Sequence, residues 1–167
     1  KRLSIFLFSL LLFWFTKYLC KKNVMEPKHP NDSCTTVTDL VLPGETNPLN
    51  NLFGGELLAR MDRAASIAAR RHCRRIVVTA SVNHVAFNKA VPTGSVLTIE
   101  AKVSRAFKSS MEVYMDVWIE DRESGIRTKA NEAIYTFVAV DRTGSPVPIP
   151  SIIPQSDWEK ERYEGAL

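Results

Sequence analysis

Apolar residues follow three different rhythms along the chain. Leu3 to Phe15 (LSIFLFSLLLFWF) is an almost unbroken apolar run. From Gly54 to His72 (GGELLARMDRAASIAARRH) the spacing is helical: at about 100° per residue, Leu58, Met61, Ala65, Ala68 and Ala69 share one face, and Glu56, Arg60, Arg63 and Arg70 share the opposite one. Glu56 and Arg60 also stand in the favourable i,i+4 order. Beyond the helix the period becomes two. Ile76 to Phe87 is rich in β-branched residues, Val96 to Phe107 sets Leu97, Ile99, Ala101 and Val103 on one face, and Met111 to Ile119 alternates apolar residues with Glu112, Tyr114, Asp116 and Trp118. In Thr128 to Val140 the residues Glu132, Ile134, Thr136, Val138 and Val140 share a side.

Pro92-Thr93-Gly94, Lys108-Ser109-Ser110, Glu123-Ser124-Gly125 and Arg142-Thr143-Gly144 punctuate these strands with turn chemistry, and connections so short predict antiparallel neighbours. With Val37 to Leu42 as a further strand, the pattern predicts an α+β domain: strand, helix, then a meander of four long strands. One helix covers only part of such a sheet. The exposed edges predict a dimer that extends it. Past Val147 the chain turns Pro-rich and then charged, which predicts a surface tail or short terminal helix.

Charge changes little in this picture once it is divided along the chain. Lys and Arg number 22 against 18 Asp and Glu, but residues 1–24 hold five of the basic residues and no acid. The remainder is slightly acidic, so the net basicity carries no expectation of nucleic-acid binding. Residues 1–24 form a separate extension. Lys1-Arg2 ahead of the apolar run has the grammar of a secretory signal, yet no small-x-small site follows, and Lys17 cuts the run short of a full membrane span. Upstream sequence, an anchor at residues 3–15 and a signal all stay open. The expected division is residues 1–24, a domain over 25–150 and a charged tail over 151–167. Cys20, Cys34 and Cys73 form neither a disulfide set nor a zinc pattern, and no cluster has metal-ligand spacing.

Two features carry candidate chemistry. Asp62 lies about 40° from Leu58, at the margin of the apolar face, with no cation among its i±3 and i±4 neighbours. A carboxylate there is either hydrogen-bonded across a packing interface or used as a catalyst. Immediately before the helix runs Asn50-Asn51-Leu52-Phe53-Gly54-Gly55. Paired glycines at a helix start let backbone amides approach a ligand, and the positive helix end favours an anion or an oxyanion. Arg70, Arg71, Arg74 and Arg75 also invite a phosphate, although cations at a helix C-terminus are already explained by the macrodipole and by solvation.

Together these residues resemble a known family. Asn47-x-x-x-Asn51-x-Phe53-Gly54-Gly55 followed by Met61-Asp62 is similar to the active-site signature of hotdog-fold acyl-CoA thioesterases, and the similarity continues through Val78-Thr79-Ala80-Ser81-Val82, Arg105-Ala106-Phe107-x-Ser109-Ser110-Met111-Glu112-Val113 and Phe137-Val138-Ala139-Val140-Asp141. The resemblance spans about Val37 to Pro150. It implies a hotdog fold, one long helix wrapped by an antiparallel sheet, paired into a dimer or a dimer-based higher oligomer with active sites at the interface. It implies hydrolysis of acyl-CoA, with Asn51 of one subunit and Asp62 of the other meeting at the thioester and the Gly54 and Gly55 amides at the oxyanion. Thr79, Ala80 and Ser81, with Lys108, Ser109 and Ser110, match segments that contact coenzyme A. No cofactor beyond the coenzyme A of the substrate is implied, and the location is cytoplasmic unless residues 3–15 anchor the chain. Hotdog hydratases and dehydratases need a histidine beside the acid. Here the residue five after Asp62 is Ile67. A non-catalytic acyl-CoA-binding module is the remaining alternative.

Overall fold

The computed structural model of the chain describes residues 25–166; the extension, with its anchor and signal readings, lies outside them. A five-stranded antiparallel sheet is built from β1 (Thr35–Leu40), β2 (Ile76–Phe87), β3 (Val96–Ala106), β4 (Ser110–Glu120) and β5 (Arg127–Val140), in the order β1-β3-β4-β5-β2. It curls around α1 (Gly54–Cys73), and α2 (Asp157–Glu164) lies near the C-terminus. This is the hotdog arrangement. Among the described residues no helix is long and apolar enough to cross a membrane.

The α1 face against the sheet carries Leu57, Met61, Ala64, Ala65, Ala68 and Ala69, all buried. Four alanines let the helix backbone sit close to the curled sheet, while burial of Leu57 and Met61 contributes about 1.5–3 kcal/mol each. The centre of this face is shifted from the predicted one: Leu57 is buried and Leu58 only partly so. Arg60, expected in solvent and paired with Glu56, is instead buried. Its guanidinium reaches Glu45 at 2.7 Å and Asp39 at 3.4 Å, because the 3-10 turn Pro43–Glu45 folds back over the helix.

β3 and β4 hold the predicted apolar rows in the core: Leu97, Ile99, Ala101 and Val103 on one, Met111, Val113, Met115 and Val117 on the other. β5 turns Ala133, Tyr135, Phe137 and Ala139 inward, so its Ile134, Thr136 and Val138 row looks outward and is half-buried. The outer face of β4 is also covered. Trp158 of α2 meets Tyr114 edge-on at 5.5 Å, and Arg162 lies 3.9 Å from the centre of the Tyr114 ring.

The predicted four-strand meander is corrected at its first step. β2 does not pair with β3; it pairs with β5, at the opposite edge. Residues 88–95 carry the chain back past two intervening strands, about 14 Å at 4.8 Å per strand spacing. Pro92-Thr93-Gly94 is therefore no hairpin turn. Its loop is pinned to the segment ahead of α1, by Leu52 N–H to the Val91 carbonyl at 2.8 Å and Thr93 N–H to the Asn50 carbonyl at 2.9 Å. β2 is left as a twelve-residue edge strand with Ile76, Val78, Val82 and Phe87 each about half exposed.

Candidate active site

Asp62 is half-buried on α1, where the helix meets β2, and its Oδ1 accepts a 2.7 Å hydrogen bond from the Thr79 hydroxyl. No cation pairs with it among the described residues. Tyr135 of β5 lies beneath: burial first, and then the Asp62 charge, push its phenol up to about 12, so it stays a neutral neighbour. Thr79 pairs with Phe137, an inward residue of β5, so its side chain faces α1, and β2 breaks register directly after it, between Thr79 and Ser81, leaving Ala80 as the extra residue of a bulge. A bulge on an edge strand re-aims side chains and exposes backbone groups. Thr79-Ala80-Ser81 is thus an irregularity built beside a carboxylate.

The segment ahead of α1 is a compact turn organised by one side chain. Asn47 Oδ1 accepts from the Leu49 amide at 2.9 Å and the Asn51 amide at 3.2 Å, and the Asn47 amide donates to the Asn51 carbonyl at 2.8 Å. Asn50 sits at φ 57 within it, a left-handed position that asparagine tolerates. Asn47, Asn51, Gly54, Leu57, Phe87 and Asn131 border a cavity of about 380 Å³. Phe53 precedes α1 without a side-chain cap, so the first helix amides remain open toward this space. A Cβ on Gly54 would meet the Phe87 ring at an ordinary 3.5 Å and one on Gly55 would meet nothing within 4 Å. Packing within the chain therefore does not require either glycine.

Asp62 stands eight residues into the helix from Gly54, about 12 Å along the axis. The two halves of the candidate site are thus brought to opposite stretches of α1, not to one point. Lys108, Ser109 and Ser110 form the β3–β4 turn, closed by Phe107 N–H to the Ser110 carbonyl at 2.8 Å and tied to β5 by Ala139 N–H to the Ser109 carbonyl at 2.8 Å. Ser110 pairs with Val138, which pairs with Val78, so this turn lies two strand spacings from Thr79, about 10 Å.

The family model for the thioesterase superfamily matches residues 49–126. The uncharacterized acyl-CoA thioester hydrolase YkhA of Bacillus subtilis is 40% identical over 142 residues, 85% of this chain and 83% of its own length. The chain belongs to the thioesterase superfamily. Among thioesterases of known structure, the acyl-CoA hydrolase of Staphylococcus aureus, solved with butyryl coenzyme A and coenzyme A, superposes with a TM-score of 0.78 at 38% identity, covering 83% of this chain and 84% of that one. The same hydrolase has been solved with an asparagine, an aspartate and a threonine each replaced by alanine, spaced fifteen and then seventeen residues apart. A hexameric acyl-CoA thioesterase superposes with a TM-score of 0.81 at 39% identity, covering 84% of this chain and 90% of that one.

Three residues beside this thioesterase's candidate site went unassigned in the sequence. Tyr135 belongs to the β5 row that faces the core, opposite Val113 of β4, and not to the Ile134, Thr136 and Val138 row that the sequence pattern singled out. Asn131 is buried, its Oδ1 accepting from the Asn88 amide at 2.9 Å while its Nδ2 has no partner. Asn47 stood in the motif without a role; its distance from Asp62 was the available signal.

Proposed function

We propose that the chain hydrolyses acyl-CoA thioesters, releasing free coenzyme A and a carboxylic acid. The observation that carries this is the half-buried Asp62 carboxylate, unpaired with any cation among the described residues and held at one oxygen by Thr79, on the central helix of a thioesterase. With Oδ1 so fixed, Oδ2 is left to draw a proton from a water. The water oxygen adds to the thioester carbonyl carbon, the oxyanion collapses, the C–S bond breaks, and the thiolate of coenzyme A leaves and takes a proton.

Asn47, Asp62 and Thr79 repeat the fifteen- and seventeen-residue spacing of the positions replaced in the Staphylococcus aureus hydrolase. The polarising role first considered for Asn51 therefore goes to Asn47. Its Oδ1 already accepts two amides, which restrains the side chain and leaves its Nδ2 to donate to a substrate carbonyl in this reading. The Gly54 and Gly55 amides share the oxyanion, an effect worth roughly 10² to 10³ in rate per donor. Asn51 shapes the turn that holds Asn47. Because helix start and Asp62 are separated along α1, Asn47 of one subunit works with Asp62 of a second, joined through the β2 edges. Lys108, Ser109 and Ser110, with the Ala80 and Ser81 backbone, hold the coenzyme A arm. No separate cofactor takes part. The free thiols of Cys34 and Cys73 fit a reducing cytoplasm.

The test is thiol release by the full chain across acyl-CoA chain lengths, with Asp62→Asn as control. We expect turnover that the variant loses by at least about a hundredfold while keeping its circular dichroism. Near wild-type thiol release by the variant would refute the role of Asp62; absence of turnover at every chain length would favour a non-catalytic binding module.

A further inference from the structure

The cavity at the start of α1 has mostly apolar walls. Leu52, Leu57 and Val91 on it are buried, and Phe87, the last residue of β2, is half exposed. Such walls suit a hydrocarbon chain. Asn131 breaks the pattern. It is 1% exposed and belongs to the inward row of β5, with Ala133 next along that row and the buried Val117 opposite on β4. A leucine of nearly the same size would satisfy every packing requirement there.

The two ends of the Asn131 amide are told apart by their neighbour. The Asn88 N–H can only donate, so the atom it meets at 2.9 Å is the oxygen, and the other end is the NH2 group. That Nδ2 is buried and meets no acceptor among the described residues. The bond to Asn88 accounts for the oxygen of this side chain and leaves the nitrogen unexplained, although a buried donor without a partner costs stability. Its place in the fold is beside the helix start. Phe87 is the register partner of Asn131, so the two side chains stand on the same face of the sheet, and the Phe87 ring lies 3.5 Å from where a Cβ on Gly54 would project. One aromatic ring, the length of a few carbon–carbon bonds, separates Asn131 from the amides at which the thioester carbonyl is proposed to sit.

We propose that Asn131 is a specificity-determining residue, whose Nδ2 donates to a ketone oxygen on the acyl chain and so favours oxoacyl-CoA thioesters over plain acyl-CoA. The proposal rests on the acyl-CoA reading above and names the substrate class of that same site. An amide nitrogen donates and does not accept, and a ketone oxygen accepts and does not donate. The match is complete for an oxoacyl group. A plain chain running past Phe87 sets a methylene against the donor and leaves it unmet, which is how a polar group in an apolar pocket discriminates.

The experiment measures kcat/KM of wild type and Asn131→Leu on hexanoyl-CoA and on 3-oxo-, 4-oxo- and 5-oxohexanoyl-CoA. Dividing each oxo value by the hexanoyl value, and then wild type by variant, removes the intrinsic reactivity of each thioester. For at least one of the three positions the quotient is about tenfold or more. A smaller quotient at all three overturns the proposal. Leucine leaves the Asn88 amide without its acceptor, so if that variant does not fold the decision passes to wild type alone, titrated calorimetrically with S-hexyl-CoA and its 3-, 4- and 5-oxo forms, thioethers that resist hydrolysis. One oxo form binding at least as tightly as S-hexyl-CoA supports the proposal. Weaker binding of all three refutes it, because a ketone that leaves water without finding a donor loses affinity. Should wild type hydrolyse none of the four thioesters, the hydrolase reading fails while the same titration still decides the role of Asn131; no binding of any thioether overturns both.

Discussion

The Thr79 hydroxyl fixes one oxygen of Asp62 and thereby the direction of the other. Thr79→Ala removes that restraint without touching the carboxylate, so kcat drops about tenfold with KM little changed, and Thr79→Ser restores most of it. Steady-state kinetics on one acyl-CoA measure both. His72 shows the same economy in a residue outside the site. It is buried, its Nε2 donating to the Pro150 carbonyl at 2.8 Å and its Nδ1 left without a partner. Burial, the main cause, with the Lys28 charge adding to it, holds the imidazole below its ordinary value near 6.5. As pH falls through that ordinary value the unfolded chain protonates His72 before the folded chain does, so stability present above about 6.5 is lost below it. Urea midpoints at pH 7.5 and 5.5 should differ for wild type and differ less for His72→Gln. Asp62 was legible from helical phase alone, as an acid at an apolar margin without a cation. Its partner was not, because Thr79 faces the helix through its pairing with the inward Phe137 of β5, and the local pattern carries no mark of the β2–β5 pairing.

Elements were easier to place than their neighbours. α1 and the four long strands fall where periodicity puts them, since amphipathic spacing is a local property. The pairing of β2 with β5 is not local. It depends on the loop of residues 88–95 docking against Asn50 and Leu52, which a turn signature such as Pro92-Thr93-Gly94 cannot reveal. Arg60 misled for a related reason: its carboxylate partners come from β1 and the turn after it, so its burial is visible only once those segments cover the helix. The alanine face of α1 has a measurable consequence. Ala68 is fully buried between helix and sheet, and Ala68→Leu forces extra volume into a space with none to give. Destabilisation of about 1–3 kcal/mol is expected in denaturant titration. A change under 0.5 kcal/mol would mean that the helix does not sit as close to the sheet as its alanines indicate.

At the scale of the molecule, the proposed reading answers both the exposed apolar edge of β2 and the placing of Asn47 and Asp62 on separate stretches of the α1 region with a second copy of the chain. Hexameric thioesterases of the same fold show that such domains assemble. The direct measurement is subunit mixing. Asn47→Ala and Asp62→Asn are each prepared as folded, inactive protein, then unfolded together and refolded as a mixture. A mixed dimer contains one site with both residues replaced and one with both intact. Random pairing makes half the dimers mixed, so thiol release should recover to about a quarter of wild type. A mixture that stays at the level of the single variants, while forming mixed oligomers, would show that Asn47 and Asp62 do not meet across subunits and would contradict the account.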